Sequence, residues 1–196
     1  LPQIMAFCSA NGSITPPGSV SVASGGTQVF SIAPDAWYAI TNVTVDGASV
    51  GSPGTYGFTN VTGWHAIFAN FTMQFAPRGT PYWWLAQYGS TNNFAAAELD
   101  DPDGDGMSNM DEWRSGTNPT NVMSCLRFAA VLKEAGGVGL DLETVDGRLY
   151  SVYWNTNLTA GVGWRLFSSF TATGDQSHMT FTNDLPQSYF QIRLSP

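Results

Sequence analysis

The chain has 196 residues and a formal charge of −8; 43% of it is hydrophobic, 13% aromatic and only 11% charged. That mixture is too apolar for a disordered chain. The few bases are scattered, which argues against a nucleic-acid surface, and no apolar run reaches the roughly 18 residues of a membrane helix. Glycine (21) and proline (11) are plentiful, as are Ser, Thr and Asn, which favours many short strands and turns over helical bundles. No signal peptide is visible, so the expectation is a mature chain or an excised fragment.

The first segment, residues 1–76, reads as all-β. "SVSVAS", "TQVFSIA", "NVTVDG" and "HAIFANFTMQF" alternate or run apolar at strand length. Turn signals separate them: Asn11-Gly12, Pro16-Pro17-Gly18, Gly25-Gly26, Asp46-Gly47 and Pro53-Gly54. The opening "LPQIMAFCSA" is apolar and extended. It is expected as the first strand of its own module; in a fibre-forming chain it would instead add to a neighbour's sheet edge. A G-x-I-x-P-x-G opening, a central "VTVDGASVG" and a closing "YGFTNVT" lie within residues 4–76. With these marks the segment resembles a bacterial extracellular β-repeat of large secreted and surface proteins. The resemblance implies a small sandwich-like module used as a spacer or adhesive unit, without catalysis.

The second segment, residues 77–124, reads as a helical connector. "PYWWLAQYG", "NNFAAAELD" and "SNMDEWRSG" are short and helix-compatible, the last stopped by Gly116. Seven of the 15 acidic residues fall between Glu98 and Glu112. Outside that stretch eight acids face seven bases, a balance near −1. Carboxylates crowded so tightly repel one another and call for a cation. "DPDGDGMSNMDE" satisfies D-x-[DN]-x-[DN]-G-x5-E in full, the pattern of a calcium loop. Asp101, Asp103 and Asp105 occupy its first, third and fifth positions. Met107 would offer its backbone carbonyl, Asn109 a ligand that often acts through water, and Glu112 both carboxylate oxygens. Gly106 supplies the sharp turn. The expected cofactor is Ca²⁺; the plain alternative is a solvated acidic loop. Residues 82–124 are similar to calcium-binding linkers of the thrombospondin type 3 and dockerin-like, EF-hand kind. Those end in "GTDP" or a variant, and this chain has Asn118 where aspartate is usual, so Asn118 is a candidate additional ligand. Asp100 and Asp111 are expected to face solvent or to support the ligands.

The third segment, residues 125–196, reads as a second all-β unit with about six strands: "LRFAAVL", "GVGLDLE", "RLYSVYW", "WRLFSSF", "HMTFTN" and "YFQIRL". "DGRLYSVYWNTNLTAGVGWRLFSS" with the later "SYFQIRL" resembles C-terminal β-sandwich modules of secreted bacterial proteins, with Asn155 where serine is usual. The expected fold is therefore mainly β: two small β-sandwich-like modules joined by a short helical calcium-binding linker.

Catalytic signatures are missing from the sequence. His65 and His178 are the only histidines, both in strand-like stretches where structural or surface roles dominate. No G-x-S-x-G, H-E-x-x-H or phosphate-binding glycine loop occurs, so an enzyme is not expected. Cys8 and Cys125 lack metal-ligand spacing. In an exported chain they could form one disulfide, and two separate buried thiols are the alternative. Of the seven tryptophans, Trp154 and Trp164 are expected in the C-terminal core, and Trp113 is expected to pack the calcium helix onto a neighbour. Trp83 and Trp84 are adjacent and cannot share one helix face. Trp37 and Trp64 are candidate sugar contacts, with core or inter-module packing the default. Asn-x-Ser/Thr occurs at Asn11, Asn42, Asn60, Asn70 and Asn157, with chance as the default reading.

These readings converge on a non-catalytic, extracellular or cell-surface bacterial chain of structural or adhesive role. Its expected partners are other protein subunits or cell-surface components. The rival is a carbohydrate-targeting accessory region of a larger secreted hydrolase, with polysaccharide as partner.

Overall fold

Alternation of apolar and polar residues at period two makes a strand with one buried face, and most of this chain is written that way. The computed structural model describes residues 1–158, 163–182 and 188–194. It is mainly β, with 49% strand and 9% helix. The chain divides into two compact units, Leu1–Gln87 and Tyr88–Pro196.

The first unit holds eight strands: β1 (Gln3–Cys8), β2 (Gly12–Thr15), β3 (Gly18–Ser21), β4 (Gly26–Pro34), β5 (Tyr38–Val45), β6 (Ala48–Ser49), β7 (Thr55–Val61) and β8 (His65–Met73). They form a five-stranded sheet in the order β3-β1-β8-β5-β6 and a three-stranded sheet β2-β4-β7. Ile4 and Ala6 of β1, Val43 of β5 and Ile67 and Ala69 of β8 are buried with Ile14, Phe30, Ile32, Phe58 and Val61 from the second sheet. One core therefore lies between the inward faces of two sheets, a sandwich-like arrangement. The N-terminal strand pairs within its own unit, antiparallel to β3 and parallel to β8. Asn11 and Asn60 sit at φ 71° and 52°, left-handed positions that asparagine tolerates better than most residues. A short helix, α1 (Tyr82–Gln87), closes the unit with Trp84 and Leu85 buried. Its entry is tied back by Ala76 N–H donating to the Thr80 carbonyl at 2.8 Å and Tyr82 N–H to the Gln74 carbonyl at 3.1 Å.

The second unit opens with α2 (Phe94–Ala97) and α3 (Asn109–Ser115) and continues with β9 (Phe128–Glu134), β10 (Gly137–Glu143), β11 (Leu149–Asn155), β12 (Arg165–Thr171), β13 (Gln176–Phe181) and β14 (Tyr189–Leu194). Two three-stranded antiparallel sheets result, β13-β10-β9 and β12-β11-β14. Leu140, Leu142, Val152 and Phe181 form the buried centre, with Phe128, Trp154, Phe167, Phe170, Phe190 and Ile192 packed against it. Phe181 stands edge-on to both Phe167 and Phe190, with ring centroids 4.8 and 5.1 Å away, the geometry that aromatic quadrupoles favour.

Candidate metal centre

Residues 101–112 build the site in two parts, a turn-rich loop and the first turn of α3. In the loop, backbone N–H groups cap the aspartates from inside. Asp101 accepts from Gly104 N–H and Gly106 N–H, both at 2.9 Å. Asp103 Oδ1 accepts from Asp105 N–H at 3.2 Å, and Asp105 Oδ1 from Met107 N–H at 2.7 Å. Gly106 has φ +93°, a value L side chains rarely adopt, which is why the sharp turn needs glycine here. These bonds hold one oxygen of Asp103 and one of Asp105, and the remaining Oδ2 atoms are buried without a hydrogen-bond partner. Asp101, Asp103 and Asp105 each turn an oxygen to within 4.8 Å of the others, the one such group of metal-binding side chains among the described residues.

The helix delivers the fourth carboxylate. Ser108 caps α3: its Oγ accepts from Asp111 N–H at 3.3 Å and donates to Asp111 Oδ2 at 2.6 Å. Asp111 is thus occupied with capping, while Asp100 is exposed. Starting the helix at Asn109 puts Glu112 in its first turn. Glu112 is 0% exposed, and neither carboxylate oxygen has a hydrogen-bond partner. Burial first, then repulsion from Asp103 and Asp105, pushes its pKa up to about 7. The nearby Thr117 hydroxyl, engaged with Ser115 Oγ at 2.7 Å, offsets only part of this.

Asn109 is 3% exposed; its Nδ2 donates to the Ala97 carbonyl at 2.8 Å, and its Oδ1 is left without a partner. Ordinary folded proteins satisfy nearly all such groups. Five unpartnered buried oxygens on Asp103, Asp105, Asn109 and Glu112 are what a hard, oxygen-seeking cation would satisfy. The donor set fits Ca²⁺: carboxylate and amide oxygens only, with no sulfur or imidazole. Asn118 lies elsewhere in its bonding. It is exposed, and its Oδ1 accepts from Thr120 N–H at 3.1 Å and Thr120 Oγ1 at 2.8 Å. The side chain of Met107 is also used, its sulfur accepting from Leu126 N–H at 3.0 Å; the motif, which concerns only the backbone carbonyl, carries no signal for that contact.

Away from the loop, each histidine meets carboxylates across its sheet. His65 Nδ1 lies 2.7 Å from Asp46 Oδ2. Bonds from the His65 ring and from Ala66 N–H hold the Asp46 carboxyl below its usual range. His178 Nδ1 meets Asp141 at 2.5 Å and its Nε2 meets Glu134 at 3.2 Å. Cys8 and Cys125 are free thiols, one in each unit. Trp84 is buried and its neighbour Trp83 exposed, as adjacency on a helix requires. Trp154 packs on Phe181 with centroids 5.1 Å apart, Trp113 lies 5.6 Å from the Arg148 guanidinium, and Trp164 is half-buried. Trp37 is half-buried and Trp64 is 69% exposed. The sequon at Asn157 ends at Thr159, outside the described residues. Among the described residues, no helix is long and apolar enough to cross a membrane. No protein-family model matches the chain, and no curated protein matches its sequence.

Proposed function

We propose that residues 101–112 bind one Ca²⁺ and that the chain is a non-catalytic, extracellular structural or adhesive protein in which this ion rigidifies a linker segment too short to have a hydrophobic core of its own. The observation that carries the metal reading is Glu112: a fully buried carboxylate with both oxygens unpartnered, close enough to the aspartate triad to be repelled by it. Such a group is costly unless neutralised or paired. The ligands would be Asp101, Asp103, Asp105, the Met107 carbonyl and Glu112, with Asn109 beside them. The ion supplies charge neutralisation and cross-linking rather than chemistry. The mainly β architecture and the resemblance of the flanking segments to secreted bacterial modules support the extracellular structural role, with protein subunits or surface components as partners. Extracellular calcium modules bind at about 10⁻⁴ to 10⁻³ M, so millimolar calcium fills the site. Because only the folded form binds, calcium raises the melting temperature by mass action. A melting curve unmoved by excess chelator, with no heat on calcium titration, would refute the metal reading.

A second reading, a carbohydrate-targeting accessory region, is favoured by the exposed indole of Trp64, since exposed aromatic faces stack on sugar rings. Saturable retention on insoluble polysaccharide, lost in Trp64→Ala, would establish it. Equal retention of the two proteins would remove its basis.

A further inference from the structure

We infer, resting on the calcium reading above, that the ion is a keystone of the C-terminal β-sheets, so that its occupancy sets their stability as well as that of the loop. A free linker would keep its bonds to itself. Here the end of α3 is joined to β11 and to the turn between β10 and β11. Tyr150 of β11 is 1% exposed. Its hydroxyl accepts from Val145 N–H at 2.9 Å and donates to the Ser115 carbonyl at 3.5 Å. One buried hydroxyl thereby joins the last residue of the helix to the β10–β11 turn. Next to it, Gly116 turns out of the helix at φ +79° beside the Val145 side chain. A Cβ there would stand 2.9 Å from Val145 Cγ2.

Two further ties reach the same sheets. The Met107 sulfur, on the residue whose carbonyl is a proposed ligand, accepts from Leu126 N–H, two residues before β9. Arg148, in the turn leading into β11, lies over the Trp113 ring, on the residue after Glu112. Between these contacts lies a cavity of about 190 Å³, lined in part by Thr117, Cys125, Glu143 and Thr144. Glu112 is therefore one helical turn from the Tyr150 and Val145 contact. Its backbone carbonyl, accepting from Gly116 N–H at 2.7 Å and Thr117 N–H at 3.1 Å, fixes the helix end against Val145. Without the cation, the three aspartates repel across the loop and the buried Glu112 carboxyl is left without a partner, which loosens the first turn of α3. That turn cannot move without pulling on Ser115 and Gly116, and hence on the sheets. Binding that orders one end of such a packed connection stabilises the other.

Hydrogen exchange on the full chain tests this, together with calorimetric calcium titration. If the second unit opens as one body, calcium at a hundred times its Kd slows exchange of amides in β10 and β11 by about a hundredfold. Leu140, Leu142 and Val152 are the reporters, and amides of β4 and β8 in the first unit are the reference. Tyr150→Phe is the discriminating variant: calcium still binds one per chain, while protection of β10 and β11 shrinks at least severalfold and that of 101–112 persists. If Tyr150→Phe does not fold, the wild-type profile alone decides. Calcium binding with protection confined to residues 98–116 would overturn the inference and leave the metal reading intact. No calcium binding at all would overturn both.

Discussion

If residues 101–112 hold the proposed Ca²⁺, Glu112 makes its binding proton-linked, and the linkage can be worked out before any titration. Its carboxyl is raised from 4.5 to about 7 by burial and by Asp103 and Asp105. Calcium requires the carboxylate. At pH 6 the metal-free protein then holds a proton on roughly nine in ten Glu112 side chains, and at pH 8 on about one in ten. Binding should release about 0.9 proton at pH 6 and about 0.1 at pH 8, and the affinity should fall about tenfold between pH 8 and pH 6. Stability in chelator runs the opposite way. A folded pKa above the unfolded value favours folding fully below pH 4.5, and that advantage is lost as pH rises through about 7. The chelated protein should therefore melt lower at pH 8 than at pH 5, and saturating calcium should remove or invert that trend. Titration calorimetry at pH 6, in two buffers of different ionisation enthalpy, reads the proton count as a slope. A slope near zero, or an affinity that changes less than twofold between pH 6 and pH 8, would refute the placement of Glu112 as a buried ligand.

Glu112→Gln should weaken calcium far more than Asn118→Ala, because Glu112 carries the unpartnered charge whereas Asn118 Oδ1 accepts from Thr120; titration calorimetry showing the reverse order would extend the ligand set into "GTNPTN". Gly116→Ala should destabilise the second unit by about 1–3 kcal/mol through its left-handed backbone, with the approach to Val145 adding to it; an unchanged denaturation midpoint would show that the helix end can relax freely. His178 is expected to titrate above 6.5 by NMR, chiefly through its bond to Asp141 and with a further contribution from Glu134. Its small stabilising effect is thus complete below pH 6.5 and lost as pH rises through the folded value; a ring pKa at or below 6.5, or one unchanged in Asp141→Asn, would contradict the pairing.

The local devices were legible in the sequence because their physics is local. Period-two alternation marks a strand wherever it sits, and each of the six stretches read in residues 125–196 overlaps one of the strands β9 to β14. Gly116 ends α3 with a left-handed exit, a stop set by a few consecutive residues. The spacing of Asp101, Asp103, Asp105, Gly106 and Glu112 put four carboxylates and a turn into one short loop. Tertiary structure decided what those devices meet. Alternation says which face of β1 is apolar, but not that β1 enters between β3 and β8, parallel to β8, because a strand's partners lie far away in sequence. Nothing around Tyr150 shows that its hydroxyl reaches Ser115, 35 residues earlier, nor that the Met107 sulfur receives the Leu126 amide. Pattern likewise nominated Asn118, while its oxygen closes a turn on Thr120. The motif named Glu112 as a ligand, but only packing set its burial and so raised its pKa, because desolvation depends on every neighbour that excludes water and not on the residue's own place in the chain.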